Sequence, residues 1–257
     1  MPSVPRSEIN RRIKVFQSKL QRSSLDAALI VQRADLYYFS GTGQDGHLFI
    51  PADGVPLLMV RRSFERALED SPLDNVVPLH SLLALSDLIK GVFACQLRSL
   101  GMELDVLPVN QFKPYTGLFA SAQIVDVSRF IRETRMVKSE YELELIRKAA
   151  ELNYAMFNRV KDILKEGMTE IELAGLLESF YRSRGHQGLV RVRSFNNEVF
   201  YGHIMSGTNL VVPSCSVGPT GGPGPNASMP QGAGLRRIGV REPISIDYVG
   251  IVDGYMV

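Results

Sequence analysis

Between Ile9 and Val127, short apolar runs stopped by Gly, Asp or Pro alternate with stretches of helical period. That alternation confines this part of the chain to a layered α/β fold. Ile9, Ile13, Phe16 and Leu20 recur every three or four residues and predict an amphipathic first helix, with Ser7 placed to cap its start. Residues 27–31, 36–39, 47–50, 56–60, 100–104 and 124–127 have the length and apolar content of strands. Helical spacing returns at 63–70, 81–93 and 108–119. Together these elements predict an α/β domain built on a mixed sheet.

The second half opens differently. Ser139-Glu140-Tyr141-Glu142 and Thr169-Glu170-Ile171-Glu172 each spell a capping box, in which the hydroxyl accepts from the helix backbone and the second glutamate reaches back. They predict two adjacent helices, the first with an apolar stripe of Leu143, Ile146, Ala150, Tyr154, Phe157, Val160 and Leu164, the second ending near Gly185. Beyond them, residues 190–195, 199–204, 210–212 and 244–252 read as strands. The expected boundary falls within 128–138, giving domains of residues 1–130 and 131–257, the second α+β in character.

Composition excludes several functions. With 29 Lys+Arg against 27 Asp+Glu, the net charge of +2 offers no field for nucleic acid. Cys95 and Cys215 are too few for a disulfide framework or a Cys-rich zinc site. No apolar run is long enough to cross a bilayer, and the N-terminus lacks a signal-peptide core, so the expectation is a cytoplasmic protein with no membrane partner. Gly41-Thr42-Gly43-Gln44-Asp45-Gly46 matches G-x-G-x-x-G, but the following His47-Leu48-Phe49-Ile50-Pro51 is strand-like. A dinucleotide site needs a helix N-terminus there, so a glycine turn is the better reading. P-loop, H-E-x-x-H and G-x-S-x-G signatures are missing from the sequence. His47, His80, His186 and His203 are not spaced as a helical metal pair.

Two features carry chemistry. Residues 217–234 hold six glycines and four prolines between predicted strands of one domain, which reads either as a flexible linker or as a functional loop. Asp247 interrupts the apolar run Ile244-Ser245-Ile246-Asp247-Tyr248. A carboxylate there either lies on an exposed face with Ser245, while Ile244, Ile246 and Tyr248 point inward, or is paired with a cation.

The order apolar strand, Asp247, Gly250, then Gly254-Tyr255 resembles the first metal-binding hairpin of the M24 metallopeptidases, the pita-bread enzymes that include Xaa-Pro aminopeptidase, prolidase and creatinase. Asp35-Leu36-Tyr37-Tyr38-Phe39-Ser40-Gly41 resembles the YL(T/S)G segment of their N-terminal domain. The stretch Thr134 to Ala150 resembles the entry into their catalytic domain, and Gly167-Met168-Thr169-Glu170 the link between its first two helices. The likeness covers essentially the whole chain in family order. It implies a creatinase-like N-terminal domain followed by the first part of an α+β pita-bread domain.

That resemblance implies hydrolysis of the peptide bond before proline, using two divalent ions (Mn, Co, Zn or Fe) held by two Asp, a His and two Glu. Asp247 matches the first Asp, and the second falls one step beyond Val257. The 257 residues alone are therefore expected to hold no metal and to be inactive. Gly224-Pro225-Asn226-Ala227-Ser228-Met229-Pro230 resembles the loop preceding the family's substrate histidine, yet Gln231 follows it. An amide hydrogen-bonds but cannot deliver a proton as an imidazole does. Asn226, Gln231 and His203 are the substrate-binding candidates and Asp247 the metal candidate. A peptide substrate and a homodimer are the implied partners. The alternatives are a non-catalytic peptide-binding scaffold and a creatinase-like hydrolase of another small C–N substrate.

Overall fold

The structure, a computed structural model, describes residues 4–193, 201–215 and 221–257. The chain divides into two compact units. One runs to Val137 and is joined by Arg193; the other comprises the described residues from Lys138 onward apart from Arg193.

The first unit is a six-stranded mixed sheet. Its strands are β1 (Ala27–Ile30), β2 (Gly46–Pro51), β3 (Leu57–Val60), β4 (Val76–Pro78), β5 (Ser99–Met102) and β6 (Gln123–Asp126), in spatial order β4-β3-β2-β1-β5-β6. β1–β2 and β2–β3 are antiparallel; β3–β4, β1–β5 and β5–β6 are parallel. Ala27, Leu29, Phe49, Leu57 and Met59 face one core with Leu85 and Ile89 of α4 (Leu85–Val92) and Tyr115 of α5 (Val109–Leu118). By strand alternation Ala28, Ile30, Leu48 and Ile50 occupy the other face and are equally buried. α1 (Arg6–Arg22) and α2 (Arg33–Ser40) pack there, with the Phe16 and Phe39 rings 5.0 Å apart. Burial on both faces explains why β1 to β3 read as continuous apolar runs. α3 (Phe64–Asp70) and α6 (Ser128–Met136) complete the unit.

Two expectations fail here. Residues 36–39 are helical, not a strand. The Gln32 side chain accepts from the Ala34 and Asp35 amides, at 2.7 and 3.0 Å, and Gly41 at φ 80° ends the turn. Capping at both ends overrides the aromatic content of so short a run. Ser7 lies inside α1 rather than capping it, because Pro5 occupies the N-cap.

In the second unit both capping boxes are formed. Ser139 and Glu142 close the start of α7 (Glu140–Ile163), and Thr169 and Glu172 that of α8 (Glu170–Ser183). The buried stripe of α7 is Leu145, Ala149, Leu152 and Met156, whereas Leu143, Tyr154 and Phe157 of the expected stripe are exposed. The helix carries two apolar stripes, and its contacts with α8, β9 (Ile251–Val252) and β10 (Tyr255–Met256) select the other one. β7 (Gly202–Ser206) pairs antiparallel with β8 (Ile244–Tyr248), and β9 with β10. Residues 190–193 are irregular, and those at 194–200 lie outside the described residues. Residues 207–211 form a 3-10 turn and not the start of a strand, since Val212 N–H bonds back to the Asn209 carbonyl.

Candidate functional site

The β7–β8 ribbon places the candidate residues. His203 lies directly opposite Asp247, and Met205 opposite Ser245. Directly paired residues project to the same side, so these four share one face. The other face carries Ile204, Ile246 and Tyr248 into the core shared with Leu173, Leu177 and Tyr181 of α8. Asp247 is exposed and His203 buried. Burial lowers the His203 pKa, and the Asp247 charge opposes that shift.

Residues 221–234 fold back over this face. Gly222 N–H bonds to the Val212 carbonyl, Gly232 N–H to Gly221 and Gly224 N–H to Gly232. A Cβ on Gly232 (φ +77°) would stand 2.6 Å from His203 Nδ1, and one on Gly222 (φ +92°) 2.9 Å from Met205 Cγ. The glycines are therefore required by close approach to the His203 strand. Residues 217–220 lie outside the described residues. Gln231 immediately precedes the glycine that touches His203. Asn226 is exposed at the tip of a turn, where its Oδ1 accepts from Ser228 N at 3.0 Å and Ser228 Oγ at 2.6 Å. The structure thus brings His203, Asp247 and the Gln231–Gly232 segment together, while the Asn226 carboxamide oxygen is engaged within its own turn.

Asp247 provides one anionic donor on an accessible face, which suits a metal ligand. Among the described residues, however, no three His, Cys, Asp or Glu converge to hold an ion. The donors on hand do not make a two-metal centre by themselves.

Glu170 escapes sequence reading. It is fully buried and accepts at Oε1 from Ser206 N (2.6 Å) and Ser206 Oγ (2.8 Å), and at Oε2 from Asn209 Nδ2 (2.9 Å) and Gly234 N (2.9 Å). Asn209 Nδ2 also lies 3.1 Å from Oε1. In the sequence it looks like an ordinary acidic residue of a helix first turn. Arg236, bonded to Ser206 Oγ and to both oxygens of Glu242, extends the network and pulls the Glu242 carboxyl down to about 2, with help from the Gly239 amide.

A mixed-sheet α/β unit followed by two capped helices and an Asp-bearing ribbon under a glycine-rich loop defines a creatinase–prolidase architecture. Residues 12–137 match the Creatinase/Prolidase N-terminal domain and residues 144–257 the Metallopeptidase family M24. The chain belongs to the M24 metallopeptidase family, with a creatinase-type N-terminal domain and the first part of a pita-bread domain. It is 27% identical over 183 residues to the Xaa-Pro dipeptidase of Pyrococcus horikoshii, covering 69% of this chain and 49% of the relative. A match of 27% identity to a peptidase of Staphylococcus epidermidis covers 74% and 54%. The chain thus spans about half the length of the curated relatives it matches. The solved Xaa-Pro dipeptidase from Bacillus anthracis superposes with a TM-score of 0.78 at 19% identity, over 97% of this chain and 63% of that one. For the prolidase from Pyrococcus horikoshii the values are 0.74, 22%, 96% and 62%. Both show the shared fold.

Proposed function

We propose that these residues belong to a two-metal peptidase that cleaves the bond before proline, with Asp247 as one metal ligand and the remaining donors supplied from outside the 257 residues. The observation that carries this is the pairing of His203 with Asp247 on one strand face beneath the glycine-rich loop, inside the segment that matches the M24 family. Divalent ions (Mn, Co, Zn or Fe) would lower the pKa of a bound water and polarise the scissile carbonyl. This chain's own contribution is to bind and orient a peptide: His203 and Gln231 offer hydrogen bonds beside Asp247, and Asn226 sits at the rim of the loop. The relative from Pyrococcus horikoshii, named an Xaa-Pro dipeptidase, supports that substrate class. A homodimer in the cytoplasm completes the proposal; among the described residues no helix is long and apolar enough to cross a membrane.

Calorimetric titration with Mn²⁺ or Co²⁺ tests the metal reading. The 257 residues alone should bind weakly, and the protein extended through the rest of an M24 domain should bind tightly and hydrolyse an Xaa-Pro dipeptide. Asp247→Asn in the longer protein should abolish both. An extended protein that ignores metal would favour the scaffold reading, which Gln231 supports.

A further inference from the structure

The two oxygens of Glu170 serve backbone amides of two different segments. Oε1 holds Ser206 N–H at the end of the His203 strand, and Oε2 holds Gly234 N–H at the exit of the glycine-rich loop. Ser206 and Glu170 are both fully buried. Backbone bonds reinforce the junction: Ile171 N–H donates to the Gly234 carbonyl at 3.2 Å and Glu170 N–H to the Arg236 carbonyl at 3.1 Å. Gly234 lies two residues after Gly232, the glycine that touches His203, and Ser206 three residues after His203 itself. Whatever holds Ser206 and Gly234 in register also sets how the loop lies over the His203–Asp247 face.

We infer that Glu170 is a positioning residue, whose carboxylate ties the loop exit to the end of β7 and thereby fixes the loop over His203 and Asp247. Calling that face a substrate site rests on the function proposed above; the positioning role itself does not. Geometry makes the carboxylate irreplaceable. An amide has one acceptor oxygen, so Gln at this position satisfies either Ser206 N–H or Gly234 N–H and turns its own N–H groups toward the other. Reorienting the Asn209 amide relieves the side-chain contacts but neither backbone donor.

Amide hydrogen exchange on the 257-residue chain, resolved by residue with NMR, is the test. Glu170→Gln should speed exchange about ten-fold or more at Gly234 or Ser206, and with it at Gly232, while α7 and the first unit keep their protection. Asn209→Ala removes a side-chain donor but leaves both carboxylate oxygens to accept from the backbone N–H groups, and should spare Gly234 and Ser206. Acceleration confined to the loop and the end of β7 supports the inference. Unchanged loop protection, or a uniform loss across the second unit, overturns it. Should the Gln variant not fold, the unsubstituted chain decides: fast exchange at both Gly234 and Ser206 would overturn the inference directly. Titration of the chain with an Ala-Pro dipeptide, followed at the same amides, examines the substrate reading separately.

Discussion

His47 makes the stability of the first unit depend on acid in a way that can be calculated. It is the second residue of β2, opposite Met59 of β3, and is almost fully buried. Its Nε2 lies 2.8 Å from the Tyr115 hydroxyl, and its Nδ1 has no hydrogen-bond partner among the described residues. Burial disfavours the imidazolium, outweighing the Asp45 charge, and lowers the pKa from 6.5 to about 4. The unfolded chain therefore takes up a proton at pH 6.5 that the folded chain resists until about pH 4. A histidine with depressed folded-state affinity contributes stability that is complete above its unfolded pKa and is lost as pH falls toward the folded value. Over that window the linkage amounts to about 3 kcal/mol, or roughly 6–12 °C in the melting temperature of a domain this size. Denaturant melts of wild type and His47→Gln at pH 7, 5.5 and 4 isolate the effect, since the other titrating groups are common to both. Gln can still hydrogen-bond Tyr115 but does not titrate. The wild type should lose about 3 kcal/mol relative to the variant between pH 7 and pH 4. Parallel curves would refute the burial argument.

Glu103 should act in the opposite sense. Its Oε2 accepts from the Val31 and Gln32 amides while burial, then the Asp35 charge, raise its pKa, so stability falls as pH climbs above the ordinary carboxylate range. Glu103→Gln should flatten that fall of stability with rising pH in the same melts, and an unchanged slope would reject it. Gly202→Ala places a Cβ 1.9 Å from the Tyr248 ring and should cost about 1–3 kcal/mol, read as a lower urea midpoint. Ser139→Ala breaks the capping box of α7 and should cost about 1 kcal/mol; no change in midpoint would mean the cap is redundant. Residues 1–137 produced alone should melt in one cooperative transition, and a broad, non-cooperative melt would reject an independent first domain.

Local chemistry was legible wherever a short stretch of chain decides its own conformation. The capping boxes at Ser139 and Thr169 are complete within four residues, so their helices follow from sequence. The buried runs of β1 to β3 announce a sheet covered on both faces, because both sets of alternating residues must leave water. The pattern around Asp247 pointed to the M24 family, and the strand faces came out as period-two alternation dictates, with Asp247 and Ser245 opposite Ile246 and Tyr248.

Tertiary structure decided what depends on a partner distant in the chain. Which of two apolar stripes α7 buries depends on α8 and the β9–β10 hairpin, neither of which its own sequence specifies. The His203–Asp247 pair requires a register between strands about forty residues apart, fixed only when both pack on α8. Glu170 looks like any first-turn glutamate until Ser206, Asn209 and Gly234 converge on it. A buried carboxylate is stable only when its oxygens are satisfied, and those donors are assembled by the fold rather than by neighbours in sequence.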